Sequence, residues 1–220
     1  MKRALFLTAL TILFGQSWHA KADPPFHLEP LWPFSPGNYD QIVFQDLILQ
    51  DRPILCMIVK PSFTPEYGFC LAQEPIECDE ISVNSHYTIY VNEAREMIWG
   101  FRRINKYTSS ISPKRKVKLS SYSKQIPNDI AELLITIWSR ALENVRYCDE
   151  YKGMDGVYYI FRFGRKRFGQ TWGPGSGEAQ ILVNLSEAII KAIKSTRSPD
   201  KDDFESIREL ASQVLCCSSV

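Results

Sequence analysis

An α+β fold is the class this sequence predicts: an antiparallel β-meander plus a β-hairpin, with about three helices packed on one face. Short apolar alternations recur between residues 40 and 91, too close together to leave room for helical crossovers. A one-sided helical stripe runs over residues 129–146, and two more follow a second β signal at 157–172. Strands this close in sequence pair as neighbours.

In chain order, residues 23–38 come first. Pro24, Pro25, Pro30, Pro33 and Pro36 alternate with Phe26, Leu31, Trp32 and Phe34, which predicts an extended arm lying along the domain or docked on a partner. Residues 40–91 read as four strands. Ile42 and Phe44 alternate; Ile54 to Val59 is an apolar run between Pro53 and Pro61; Tyr67, Phe69 and Leu71 alternate around Cys70; Tyr87, Ile89 and Val91 alternate with Thr88 and Tyr90. Residues 92–104 fit either the start of a short helix or a continuation of the strand. The helix at 129–146 places Ile130, Leu133, Leu134, Ile137, Trp138, Ala141, Leu142 and Val145 on one face, with Asn128 or Asp129 as its cap. Val157 to Phe163 is a strand with Tyr158, Ile160 and Arg162 on one face; a tip follows Gly164, and Phe168 to Trp172 returns. Helices then cover about 178–195 and a segment opening near Ser198-Pro199. Residues 39–217 make one α+β domain.

The N-terminus predicts export. Lys2 and Arg3 precede the apolar run Ala4 to Phe14, and Ala20-Lys21-Ala22 fits the small-x-small cleavage rule, so residues 1–22 read as a signal peptide. No later run is long and apolar enough to predict a transmembrane span after cleavage. Cleavage leaves 23 basic against 25 acidic residues, a balance that excludes a polycationic nucleic-acid binder and confines any electrostatic attraction to local patches. The expected location is the bacterial periplasm or the extracellular space.

Six cysteines, Cys56, Cys70, Cys78, Cys148, Cys216 and Cys217, survive cleavage, and an even count in an exported chain predicts disulfides. Fifteen pairings are possible. Cys56 and Cys70 are symmetric about Phe63 and face each other if residues 61–65 turn a hairpin; Cys70 and Cys78 are symmetric about Glu74. One bridge within the strand region and one from Cys148 to the tail are the favoured arrangement. No metal site and no cofactor are expected: there is no Cys-x-x-Cys, and only His27 and His86 remain after cleavage.

Charge is segregated. From Met97 to Asn128 there is no acid but there are Arg102, Arg103, Lys106, Lys114, Arg115, Lys116, Lys118 and Lys124; from Val157 to Gly177 there is none either, against Arg162, Arg165, Lys166 and Arg167. These segments read either as a solvated loop over 105–125 with a charged hairpin tip, or as one anion-binding face. Seven of the 11 glycines lie between Gly153 and Gly177, leading into a helix start that offers backbone N–H groups, but no nucleotide-loop fingerprint completes them. Ser121-x-x-Lys124 lacks the companion motifs of a serine–lysine enzyme, and no other hydrolase or metalloprotease motif occurs.

Asp155-Gly156-x-Tyr158-Tyr159-x-Phe161, followed by Gly169-x-Thr171-Trp172-x-Pro174-x-Ser176-Gly177, resembles a pattern in uncharacterised exported bacterial proteins, in which a D-G-x-x-Y strand precedes T-W-x-P and a leucine-rich helix. The likeness spans residues 138–194 and implies export and a hairpin–helix arrangement; those proteins have no known activity to carry over.

The function expected is binding to an unknown protein or an anionic envelope component, as an accessory or inhibitor protein. Its expected surface is Tyr158, Arg162, Arg165, Lys166, Arg167 and Trp172, with Arg102 and Arg103 of the 101–124 segment. No specific nucleic-acid binding is expected. The alternatives are a small periplasmic hydrolase, which needs a carboxylate in a perturbed environment or His86 in a cleft, and a structural subunit that packs through the arm around Trp32.

Overall fold

Two periodicities, two residues for strands and 3.6 for helices, divide the chain as built. A computed structural model describes residues 28–31, 39–74, 86–98, 116–146, 156–173, 177–195 and 201–217, without the side chains of 201–203 and 217. In order these form β1 (Glu29–Pro30), α1 (Tyr39–Leu47), β2 (Leu55–Pro61), β3 (Tyr67–Glu74), β4 (His86–Ala94), β5 (Leu119–Ile126), α2 (Asn128–Glu143), β6 (Val157–Phe163), β7 (Arg167–Gly173), α3 (Gly177–Lys194) and α4 (Lys201–Cys217). The strands make one sheet in the order β1-β7-β6-β2-β3-β4-β5, antiparallel at every pairing. The α+β class therefore holds, with the meander β2–β5 and the hairpin β6–β7 joined side by side through β2 and β6.

One face of the sheet carries the large core. Leu55, Met57 and Val59 of β2, Phe69 and Leu71 of β3, Ile89 and Val91 of β4 and Phe161 of β6 pack with Ile130, Leu134, Ile137 and Trp138 of α2 and Leu182, Leu185 and Ile189 of α3. Ile207, Ala211 and Val214 of α4 complete it against α2 and α3. Trp138 is the centre: its ring meets Phe69 edge-on at 5.8 Å and Phe161 at 6.0 Å, and its Nε1 donates to the Cys56 carbonyl at 3.3 Å.

The opposite face departs from the expectation. Residues 39–47 form a helix, not a strand, and it lies on this second face, where Val43, Phe44 and Leu47 cover Cys56, Ile58, Cys70 and Ile160. The Ile42–Phe44 alternation is too short to set a strand, whereas Val43 and Leu47 stand at i, i+4 and bury together. Buried Asn92 fixes the helix end by donating from Nδ2 to the Leu47 carbonyl at 2.6 Å. Among the described residues, the sheet thus has three long helices on one face and one short helix on the other.

Other boundaries also moved. β5 is a full strand where the sequence suggested a solvated loop; as an edge strand it exposes Ser121, Tyr122 and Ser123, so its alternation has no apolar side. β4 continues through Ala94. Neither Asn128 nor Asp129 caps α2: Pro127 takes that place without a side-chain hydrogen bond, and the Ala131 N–H bonds to its carbonyl. The described part of the proline-rich arm lies on its own domain, with Glu29 and Pro30 opposite Gln170 and Gly169 and Leu28 in the core. Residues 1–22, read as a signal peptide, together with Trp32, Cys78, Cys148, Arg102 and Arg103, fall outside the described residues.

Candidate functional site

The hairpin β6–β7 carries most of the expected site, and its register decides what the site can do. Tyr158 pairs with Trp172 and Arg162 with Phe168, and β2 extends those rows to Lys60 and Cys56. Tyr158, Arg162 and Trp172 therefore share the sheet face that α1 partly covers. The neighbouring pair Phe163–Arg167 puts Arg167 on the other face, beneath α2.

Each arginine in the strands already has internal work. The Arg162 guanidinium lies 4.8 Å from the Phe44 ring centre and 5.8 Å from that of Phe168, and its Nε donates to the Gly164 carbonyl at 2.6 Å. It holds α1 to the hairpin. Arg167 stands over Phe163 and donates to Glu143 Oε1 at 2.8 Å and Ser139 Oγ at 3.1 Å, tying the hairpin to the end of α2. Between them the turn begins at Gly164, whose φ of 58° is left-handed and whose N–H bonds to the Ile54 carbonyl. Arg165 and Lys166 sit at the apex, exposed.

At the far end of the hairpin, Tyr158 and Trp172 are half-buried beside Lys60. The Lys60 ammonium stands 5.5 Å from the Tyr39 ring centre and 5.4 Å from that of Tyr158, and it pairs with Asp40. Tyr39 donates to Glu66, whose other oxygen accepts the Ile98 N–H at 2.7 Å. Burial and the Glu66 carboxylate push the Tyr39 hydroxyl well above the ordinary tyrosine range, so it stays a donor. Trp172 lies against Gly156, where an added Cβ would meet Nε1 at 2.4 Å. That Nε1 is itself buried with no hydrogen-bond partner.

The two acid-free segments do not converge among the described residues. Lys124 lies in β5 and Lys116 and Lys118 lead into it; β5 is four strand spacings or roughly 19 Å from β6. Lys124 is also spent, donating to the Ala192 and Ser195 carbonyls at the end of α3 at 3.0 and 2.8 Å. Ser121 and Lys124 are three apart on one strand and so face opposite sides, which dismantles the serine–lysine pair.

A carboxylate in a perturbed environment does exist, on the helix-rich face. Glu187 of α3 accepts from Tyr67 at 2.8 Å, with Tyr159 and Lys194 nearby; burial raises its carboxyl above the ordinary range, while the Tyr67 hydrogen bond and Lys194 pull it down less strongly. Sequence reasoning missed it because a Glu on an amphipathic helix looks solvated. His86 is exposed at the start of β4. No group of His, Cys, Asp or Glu among the described residues is placed to hold a metal ion, and no described helix is long and apolar enough to cross a membrane. Comparison with known protein families, curated proteins and solved structures found no match to this chain.

Proposed function

We propose that the chain is an exported binding protein of the bacterial envelope or extracellular space that engages an anionic or acidic partner through the apex of the β6–β7 hairpin. The observation that carries this reading is the division of labour among four neighbouring cations. Arg162 and Arg167 are committed to Phe44, Phe168, Glu143 and Ser139, while Arg165 and Lys166 project from the apex in a segment without acids. The flanking strands pair through Phe163 and Arg167, so on contact the main cost left is ordering the two exposed side chains. Export follows from the signal-peptide pattern and from the resemblance around Trp172.

The test compares the wild-type protein with Arg165→Glu/Lys166→Glu on an immobilised sulfated polysaccharide, across a salt gradient. Earlier elution of the variant at an unchanged melting temperature is expected, with retention falling as salt rises. Identical elution would remove the apex from the binding reading. Arg167→Ala is a control, since its loss frees Glu143 and disturbs α2.

A hydrolase remains the second reading, favoured by Glu187 alone: a half-buried carboxyl beside a tyrosine hydroxyl is a plausible acid. Glu187→Gln abolishing cleavage of a cell-wall polymer would move the function there; a wild-type protein without such cleavage leaves Glu187 as a tie between α3 and the sheet.

A further inference from the structure

We propose that Cys56 and Cys70 are joined by a disulfide that forms before α1 docks and is then sealed beneath that helix. The two are directly opposite in the β2–β3 register. Which kind of opposition this is follows from the other side of β2. The Gly164 N–H bonds to the Ile54 carbonyl at 2.8 Å, and the Ser62 N–H bonds to the Gly156 carbonyl at 3.0 Å. Both contacts continue the β2–β6 register, so the even-numbered residues of β2 turn their peptide groups toward β6. Cys56 is one of them. It therefore meets Cys70 at a non-hydrogen-bonded position of the β2–β3 ladder, where Cα atoms come within about 4.5 Å and side chains are closest. The Ile54 N–H reaches across to the Leu71 carbonyl, a bulge-like start after which the register is regular from Leu55.

A disulfide spans Cα separations of about 4.4–6.8 Å, so closing this one asks for little backbone movement. Both residues are thiols in the structure. Cys70 Sγ donates to Gln50 Oε1 at 2.9 Å. Both are no more than 1% exposed, under Val43, Phe44 and Leu47. Burial raises the Cys56 thiol well above its ordinary range, so folded Cys56 offers almost no thiolate, and the cover over both residues leaves no path for an oxidant.

The oxidant is a small-molecule disulfide, RSSR. The Cys56 thiolate attacks one of its sulfurs and expels RS⁻; the Cys70 thiolate then attacks the Cys56 sulfur of the mixed disulfide and expels the second RS⁻. Two electrons pass to the oxidant, and the two cysteine protons end on two RSH. Because α1 bars attack in the folded state, the redox state is set while the helix is off the sheet. This inference does not depend on the hairpin apex or on any partner.

The test refolds the reduced, denatured chain with oxidised glutathione, alkylates the remaining thiols and maps the peptides. Chymotrypsin is the suitable protease: Pro53 and Pro61 protect Arg52 and Lys60 from trypsin, while Phe63 and Tyr67 lie between the two cysteines. A peptide linking Cys56 to Cys70 is expected, with a melting temperature above that of the reduced protein by on the order of 5–10 °C. Alkylation of both residues, or a link from Cys70 to Cys78, would overturn the pairing. In the second arm, protein folded under reductant is given the same oxidant. Oxidation at least about tenfold slower than during refolding is expected, because it waits on local opening, and Phe44→Ala should speed it. Equal rates in the two arms would overturn the seal.

Discussion

The two faces of the sheet are built on different principles. The helix-rich face buries Leu, Ile, Val, Phe and Trp side chains from five strands and three helices in one continuous cluster. The other face carries, among the described residues, one nine-residue helix, and its contacts mix apolar packing with chemistry: two thiols, a stacked guanidinium, and an ammonium between two tyrosine rings. Stability is therefore concentrated on the first face, and conditional behaviour on the second. A region that holds its cover through Arg162, Asn92 and a few side chains of α1 can open without unfolding the rest.

The sharpest way to break this contrast is substitution at matched positions. Trp138→Ala removes a fully buried indole with two aromatic neighbours and should cost about 3–5 kcal/mol, whereas Leu47→Ala under α1 should cost nearer 2–3 kcal/mol because the thin layer can collapse. Urea unfolding measures both, and equal losses would mean that the two faces are equally load-carrying. Gly68→Ala comes next. Its Cβ would meet the Met57 carbonyl at 2.4 Å and Ile58 Cα at 3.1 Å, both backbone, so β3 must move away from β2 at a cost of about 1–3 kcal/mol. A variant as stable as wild type would show that this pairing is looser than the helix-rich face requires.

Glu187 gives a smaller effect with a definite sign. Its folded carboxyl titrates above the ordinary value, chiefly through burial, so ionising it at neutral pH works against folding. That loss is recovered as pH falls through the raised pKa toward the unfolded one. Glu187→Gln, which keeps an acceptor for Tyr67, should raise the melting temperature at pH 7, and the difference should shrink toward acid. A gain that grew on acidification would reverse the assignment. The smallest expected effect is that of Arg165→Ala/Lys166→Ala, whose melting temperature should match wild type while retention on the polyanion falls; a lowered melting temperature would make the apex structural.

How much of this was readable beforehand depended on the distance over which each signal acts. The α2 stripe of Ile130, Leu134, Ile137, Trp138 and Ala141 is local, so its spacing alone identified the helix. The symmetry of Cys56 and Cys70 about Phe63 likewise matched the β2–β3 register. α1 was misread because a nine-residue helix that buries three side chains leaves a weak signature, and β5 because an edge strand needs no apolar face. The hairpin was legible, with Tyr158, Ile160 and Arg162 on one face of its first strand, but Arg167, read as part of the tip beside Arg162, pairs with Phe163 and lies on the opposite face. The commitments of the two arginines were not legible, because Phe44 and Glu143 reach them only after the chain has folded back.

The two borders of the sheet carry a last consequence, for behaviour in concentrated solution. Along β7 the border is covered at Gly169 and Gln170 by Pro30 and Glu29, and proline has no N–H to offer a further strand. Along β5 eight residues end the sheet with no strand beyond them among the described residues; exposed Lys118 stands just before it, Ser121, Tyr122 and Ser123 are exposed along it, and Lys124 is turned to the end of α3. When the protein is heated or crowded enough to aggregate, fibre-like growth should begin from the β5 border, and a proline placed at Ser121 should delay it more than any change along β1.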